Sequence, residues 1–525
     1  MPNPVKFEPL TGPGVPAGKP GPPAQQPPFA QQPPPVQPTF TPQPKPPDFR
    51  MTDTTRYLSA AIYSNKWLRN HVFESVINEK HKAIVASYGV DLATVAGHCM
   101  LARRKEIVRD GWIFALTLLL FSAVAFDLLI PAALIVLVVW AVVLFDSYTT
   151  KFSILGAGFN KKTFDPTRAQ TGLSHGDQSK LVDIAAAQKG NVVVYGGFSP
   201  FVGSGLDIGG WSFTMKVNKG KEENGKRLTP MPVQPEEAHQ ALTHAILDLG
   251  LDGVNVEDRL YVDGQEIRDD QMFMPHPLGR PTATVDAAIV RSFIAHSTSA
   301  ARHYKCIQAI GWKAELILSI FVRFTKTKNN LFAEASYFLL PPLQESFHGV
   351  DGLRPTPTLK ELWELLVQSA IKTPFMFPYS ALNTLRNILG PYIRWRAEVE
   401  ARRAIEENPA FNYGAITTVR EIATSGVYRR YFQKLDKEMN LKIIERQILD
   451  CIIEFLDGKN IDTSDLKERK ESILNYGVIV SGGTVQAQSL AVGNQAVAKV
   501  NKIATAIGFS PLNLQKNPGQ SQTKG

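Results

Sequence analysis

The sequence predicts an α+β protein with a disordered N-terminal tail, a transmembrane helical hairpin, and a mixed α/β cytoplasmic domain that carries antiparallel β-hairpins and a helical C-terminal half. Three observations predict it. Of the 37 prolines in 525 residues, 18 fall in residues 1–50. The stretch Gly111–Phe145 has Asp127 as its only charge. From Glu315 to Leu340, apolar and polar residues alternate around a polar break at 326–330.

In residues 1–50, proline fixes φ and removes a backbone donor, so neither helix nor sheet propagates. Phe7, Phe29, Phe40 and Phe49 follow no period, and too little apolar surface remains to offset chain entropy. The expectation is an extended, polyproline-like spacer, whose Pro33–Pro38 segment suits an aromatic groove on a protein partner.

Residues 51–106 read as a helical juxtamembrane region. Tyr57, Leu58, Ala61 and Ile62, then Trp67, Leu68, Val72, Phe73, Val76 and Ile77, recur at steps of three and four. Gly89 interrupts the pattern, and Asp91 is placed to cap a second helix running through Val95, Cys99 and Leu101 into a basic segment. Trp67 and Phe73 suit a partner helix, the membrane surface or the cytoplasmic domain.

One straight helix over Gly111–Phe145 would be about 52 Å long, beyond the ~30 Å hydrocarbon core. Two spans within 107–148, folded back near Asp127–Pro131, fit better: about Ile107 to Phe126, then about Leu128 or Ala132 to Tyr148. Arg103, Arg104, Lys105 and Arg109 precede the stretch, Lys151, Lys161 and Lys162 follow it, and the bend has no Lys or Arg. The positive-inside tendency then puts both flanks, and both termini, on the cytoplasmic side. Asp127 reads either as an intramembrane functional carboxylate or as a turn residue at the headgroups.

Residues 150–350 read as α+β. Strands are expected at Asn191–Tyr195 and Trp211–Val217, a helix at Pro235–Leu249, and a type I′ turn at Asp263-Gly264 within Leu260–Ile267. Glu315–Leu340 reads as a long antiparallel hairpin. Residues 351–476 read as helical, over Thr358–Ile371, Tyr379–Leu389, Tyr392–Glu407 and Val427–Leu456, with a last helix ending at Tyr476-Gly477. The apolar face from Phe432 to Leu456 is expected in the core. Residues 477–498 suggest short strands, and 499–525 a basic flexible tail without Asp or Glu.

Catalytic chemistry is hard to place. Gly196–Gly210 follows a strand, and Gly203, Ser204 and Gly205 could offer backbone N–H groups to phosphate. The next glycine stands at 209 rather than 208, no Gly-Lys-Ser/Thr follows, and no helix intervenes before the next strand. An ordered loop packing Phe198, Phe201 and Trp211 is the competing reading. His239 and His244 are five apart, where metal pairs on one helix face want four. Cys306 lies in an apolar stretch that suits an inert thiol, and three scattered cysteines exclude a disulfide scaffold or a four-Cys zinc site. No catalytic residue, metal ligand or cofactor is assigned. The charge of +9 is modest for this length and no recognition motif appears, so no nucleic-acid partner is expected.

Several phrases resemble an uncharacterised family of bacterial integral membrane proteins with a Pro/Gln-rich N-terminal tail and a large cytoplasmic domain. They are YGGFSPFVGSG and GWSF within 195–213, LFAEASYFLLPP at 331–342, NPAFNYGA at 408–415 and ILNYGVIVSGGTVQAQSLAVG at 473–493. The resemblance implies a membrane location and carries over no catalytic residue. The expected function is a membrane-anchored interaction, scaffolding or sensing protein, in the lipid bilayer as a two-pass chain and a candidate homo-oligomer. The alternative is a membrane-tethered enzyme or nucleotide-responsive effector using loop 196–210.

Overall fold

The computed structural model describes residues 48–475. Nearly all of the Pro-rich tail, the β element at 477–498 and the basic tail at 499–525 lie outside the described residues. The helices are α1 (Asp53–Ser64), α2 (Lys66–Val72), α3 (Leu92–Ala125), α4 (Leu129–Tyr148), α5 (His175–Gln188), α6 (Pro235–Leu247), α7 (Ala287–Ala295), α8 (Leu359–Glu407), α9 (Val419–Ile422), α10 (Tyr431–Gly458) and α11 (Ser464–Asn475). The strands are β1 (Val192–Tyr195), β2 (Leu206–Lys216), β3 (Glu222–Glu223), β4 (Lys226–Arg227), β5 (Val254–Asp263), β6 (Ala301–Gly311), β7 (Leu316–Lys326) and β8 (Asn330–Leu340).

Six strands form one mixed sheet in the order β1-β5-β6-β7-β8-β2, and β3 with β4 forms a separate small ribbon. Only the β1–β5 pair is parallel. The β7–β8 hairpin is the one the alternation predicts, with Ile320 opposite Tyr337 and Val322 opposite Ala335. Helices α6, α10 and α11 cover one face, over Ile320, Val322, Ala333 and Ala335. The other face packs Phe201, Tyr261, Tyr304, Phe321 and Phe338, with Phe201 stacked 4.1 Å from Phe321. Cover on both faces leaves the central β6 and β7 buried along nearly their whole length, polar His303, Lys305, Gln308 and Ser319 included.

A second core joins α1, α2, the first half of α3 and α5. Thr52 caps α1 by accepting the Thr55 N–H, and the predicted stripe Tyr57, Leu58, Ala61, Ile62, Leu68 and Val72 is buried there. Trp67 is exposed, whereas Phe73 lies under the Arg103 guanidinium at 3.7 Å. Helical structure ends in a widened turn at Phe73–Ile77 rather than reaching Gly89; a connection without helix leads from there to Asp91, the N-cap of α3.

Four expectations are corrected. Asp263-Gly264 is not a hairpin turn, because the antiparallel neighbour of β5 is β6, which starts only at Ala301. Gly264 is required instead by crowding: a Cβ there would lie 2.2 Å from the Gly414 nitrogen. The glycine-rich stretch gives way to strand at Leu206, so the predicted strand at Trp211 starts earlier, across an irregularity between Asp207 and Gly209. The three helices expected over 358–407 are one helix of 49 residues, α8, which contains Pro374, Pro378 and Pro391. Packing along α3 and α4 holds it together, and the Ser369 and Thr373 hydroxyls donate to the carbonyls of Leu366 and Ser369, at 2.8 Å each. On α10 only the second half of the apolar face, with Ile444, Ile448, Ile452 and Leu456, is buried; Phe432, Leu435 and Met439 are exposed.

His98, on the buried part of α3, lies between Tyr63 and Phe159, with ring centroids 5.9 and 4.9 Å away. Burial lowers its pKa from 6.5 to about 4. The folded state therefore resists a proton that the unfolded chain accepts near pH 6.5. The stability contribution is complete above that value and is lost as pH falls toward 4, at about 1.4 kcal/mol per pH unit. At pH 5 this amounts to about 2 kcal/mol. His98→Gln should flatten the acid limb by that amount when denaturant midpoints at pH 7.5 and 5 are compared; an equally steep loss in the variant would reject the assignment.

Candidate functional site

Helix α3 runs unbroken from the core out into the apolar hairpin. Val95, Ala96 and Cys99 are fully buried, while Trp112, Leu119 and Phe121 project outward. Helices α3 and α4, the latter continuing to Gly158, are long and apolar enough to cross a membrane, and only 22% and 17% of their apolar windows are buried. Burial that low separates them from core helices of a soluble protein. The turn between them ends α3 in a Schellman arrangement: Leu128 N–H donates to Ala123 O at 2.8 Å and Asp127 N–H to Val124 O at 3.1 Å. Asp127 has φ 57°, a left-handed position that aspartate tolerates, so it occupies the turn itself.

The apolar stretch is bounded directly by Asp110 and Asp146, and these two carboxylates organise the base of the hairpin. Asp110 is fully buried. It accepts from Arg109 Nη2 at 2.7 Å, from Asn383 Nδ2 at 2.9 Å and from Ser380 Oγ at 3.4 Å. Asp146 pairs with Arg109 and Lys105, both at 3.0 Å. Arg69 of α2 pairs with Glu106 at 2.9 Å, and Glu106 also accepts from Tyr379 of α8 at 3.0 Å. Thus α2, α3, α4 and α8 meet at one level through charge-assisted bonds, which fix rotation as well as contact. Above the ion pairs, Met376 and Phe377 of α8 pack against Ile113, Val139 and Val143.

Between these elements lies a cavity of about 270 Å³, lined among others by Arg69, Glu106, Asp146, Lys151 and Lys372. The sequence reading missed this junction because it weighed Asp127, inside the apolar stretch, and not the carboxylates at its two ends. The signal was present: one aspartate immediately before Gly111 and one immediately after Phe145.

The other singled-out residues lie elsewhere. The N–H groups of Gly203 and Gly205 both donate to Glu421 Oε1, at 2.9 and 3.0 Å. The loop does gather amides around an anion, and that anion is a carboxylate of the same chain. Ser204 is buried, Phe201 fills the core, and Phe198 is fully exposed. His239 is buried edge-on to His303, 4.8 Å between rings, and burial pushes it well below the usual histidine range. His303 Nε2 and Lys305 Nζ lie 2.8 and 2.7 Å from Asp258. Burial raises that carboxyl, but the His303 hydrogen bond and the Lys305 cation outweigh it and hold it below the usual range. Among the described residues no group of three or more His, Cys, Asp or Glu is arranged to hold a metal ion. Cys306 is buried and its thiol is pushed up to about 12 by desolvation, against reactivity.

No curated protein matches the chain, and no solved structure does. A family model described as the AbeC-like domain matches residues 210–486, more than half of the 525-residue chain. The match starts within β2 and takes in β5 to β8, the long α8 and the helices α6, α10 and α11 that close one sheet face, while β1 and the hairpin precede it. On that coverage, the chain belongs to the AbeC-like domain family.

Proposed function

We propose that the protein is a two-pass membrane-anchored scaffold or sensor, with both termini on the cytoplasmic side and the α/β body as its interaction domain. The observation that carries this reading is the continuity of α3, whose first half is core and whose second half is exposed and apolar. A helix without a break couples the body to the anchor, so a change of tilt at one end reaches the other. The basic residues Arg103, Arg104 and Lys105 precede the apolar stretch and Lys151, Lys161 and Lys162 follow it, as an even number of spans with a cytoplasmic body requires. The proposal assigns no catalytic residue.

Reporter fusions test the topology. A reporter at Asp127 should be active in its extracytoplasmic form and one at the C-terminus in its cytoplasmic form, and the full chain should resist carbonate extraction. An extracytoplasmic C-terminal reporter would overturn the hairpin, and a carbonate-soluble chain would overturn the anchor.

A further inference from the structure

Helix α8 is built inside out. Ser369, Thr373 and Ser380, small and hydroxylated, are on its buried side, while large apolar side chains face outward. Among the latter are Trp363 (68% exposed), Ile371 (61%), Phe375 (71%), Leu382 (69%), Ile388 (64%) and Trp395 (61%). At about 100° per residue these six fall within one arc of about 160°. A surface helix of a soluble protein shows the opposite order. Small residues inward and large ones outward is the pattern of a helix whose solvent is lipid.

Two observations identify what covers this face. The first is continuity: α8 crosses the hairpin where Asn383 meets Asp110 and Met376 and Phe377 meet Ile113, the level at which α3 passes from charged to apolar. That level is where a membrane surface would lie. The second is charge. Residues 365–397 contain no Asp or Glu but include Lys372, Arg386, Arg394 and Arg396, all exposed. An acid-free basic segment beside an apolar stripe matches an anionic headgroup layer.

We infer that α8 lies in the membrane interface at the base of the hairpin, its outer face in the headgroup–acyl boundary of a bilayer containing anionic lipid. The inference rests on the anchor reading above and adds a third membrane element to it. The anchor is then a hairpin standing on an in-plane helix, and α8 links the lipid surface to the body, since Arg268 Nη1 donates to the Ile405 carbonyl at 2.7 Å and Glu398 pairs with Lys80 at 3.1 Å.

The test uses the full chain in phosphatidylcholine vesicles with and without phosphatidylglycerol. Single cysteines at Ile371, Leu382 and Ile388 carry an environment-sensitive fluorophore; Leu119→Cys is the hairpin reference and Glu454→Cys the water reference. The native thiols Cys99, Cys306 and Cys451 are buried. The expected result is blue-shifted emission at the three α8 positions, with the larger loss from nitroxides near the headgroups. Leu119 should lose more emission to deep nitroxides, and Glu454 should respond to neither. Arg386→Glu combined with Arg396→Glu should reduce the α8 quenching in vesicles containing phosphatidylglycerol.

Water-like emission on α8 with Leu119 still quenched would overturn this inference and leave the anchor standing. Blue-shifted emission that no lipid nitroxide quenches would overturn it in favour of a second copy of the chain on this face. Water-like emission at Leu119 would remove the anchor itself. Quenching on α8 indifferent to phosphatidylglycerol and to the charge reversals would overturn the anionic-surface assignment.

Discussion

Glu421→Ala should destabilise the α/β body by about 3 kcal/mol, because one carboxylate closes two structures at once. Its Oε1 takes the N–H groups of Gly203 and Gly205 at 2.9 and 3.0 Å. Its Oε2 takes the Thr418 N–H at 2.9 Å and the Thr417 hydroxyl at 3.2 Å, completing the capping box of α9. Truncation strands the two glycine amides beside a buried Ser204, where water cannot replace the acceptor cheaply. Glu421→Gln keeps one acceptor oxygen and should lose about half as much. A complementary variant, Gly205→Ala, acts from the other side: φ is +87° and a Cβ would meet the Leu339 carbonyl at 2.3 Å, so the loop must leave its place. Denaturant titration of the full chain in detergent reads all three. A Glu421→Ala midpoint indistinguishable from the parent would mean that the loop is held by packing alone.

Glu421 also shows where sequence reading stops. In the sequence, Gly203-Ser204-Gly205 reads either as amides offered to a phosphate or as an ordered loop packing Phe198, Phe201 and Trp211, since local backbone freedom allows both. The carboxylate that these amides meet is not legible there, because Glu421 is more than two hundred positions away and arrives only through the fold. The same limit separates Gly264 from its reason. In an Asp-Gly pair the glycine reads as a turn, but it is set by the close passage of Gly414, in the phrase NPAFNYGA, beside β1. The β7–β8 hairpin and the apolar hairpin were legible because their signals are periodic and local.

Helix α8 was misread for the converse reason. Three prolines each lower the local helix propensity by about 3 kcal/mol, and on local terms they divide the segment. The helix survives because residues 376–383 pack against α3 and α4 where α8 crosses them, a contact that local propensity does not contain. Only the intact helix shows that its apolar arc lies on one side, turned away from the body.

Asp110 gives the largest effect expected at the hairpin base, about 3–5 kcal/mol on replacement by alanine, since breaking a buried pair leaves its partners uncompensated. Arg109 would keep Asp146, at 3.0 Å, but Asn383 would lose its acceptor at 2.9 Å and the site would hold one more unbalanced cation. Asp110→Asn preserves shape and one acceptor oxygen, so its loss should be smaller and come chiefly from the missing charge beside Arg109. The readout must separate the junction from the anchor. On the proposed anchor, membrane retention should be unchanged in Asp110→Ala, because the apolar length of α3 and α4 is untouched. Detachment of α8 should appear as faster limited proteolysis in the connections that flank it, 353–358 and 408–418. A cycle with Asn383→Ala should return a coupling of about 1–2 kcal/mol, the range for residues in direct contact within one network. Additive losses, or proteolysis no faster than in the parent chain, would show that α8 is held at the hairpin by Met376 and Phe377 and that the carboxylate only neutralises Arg109.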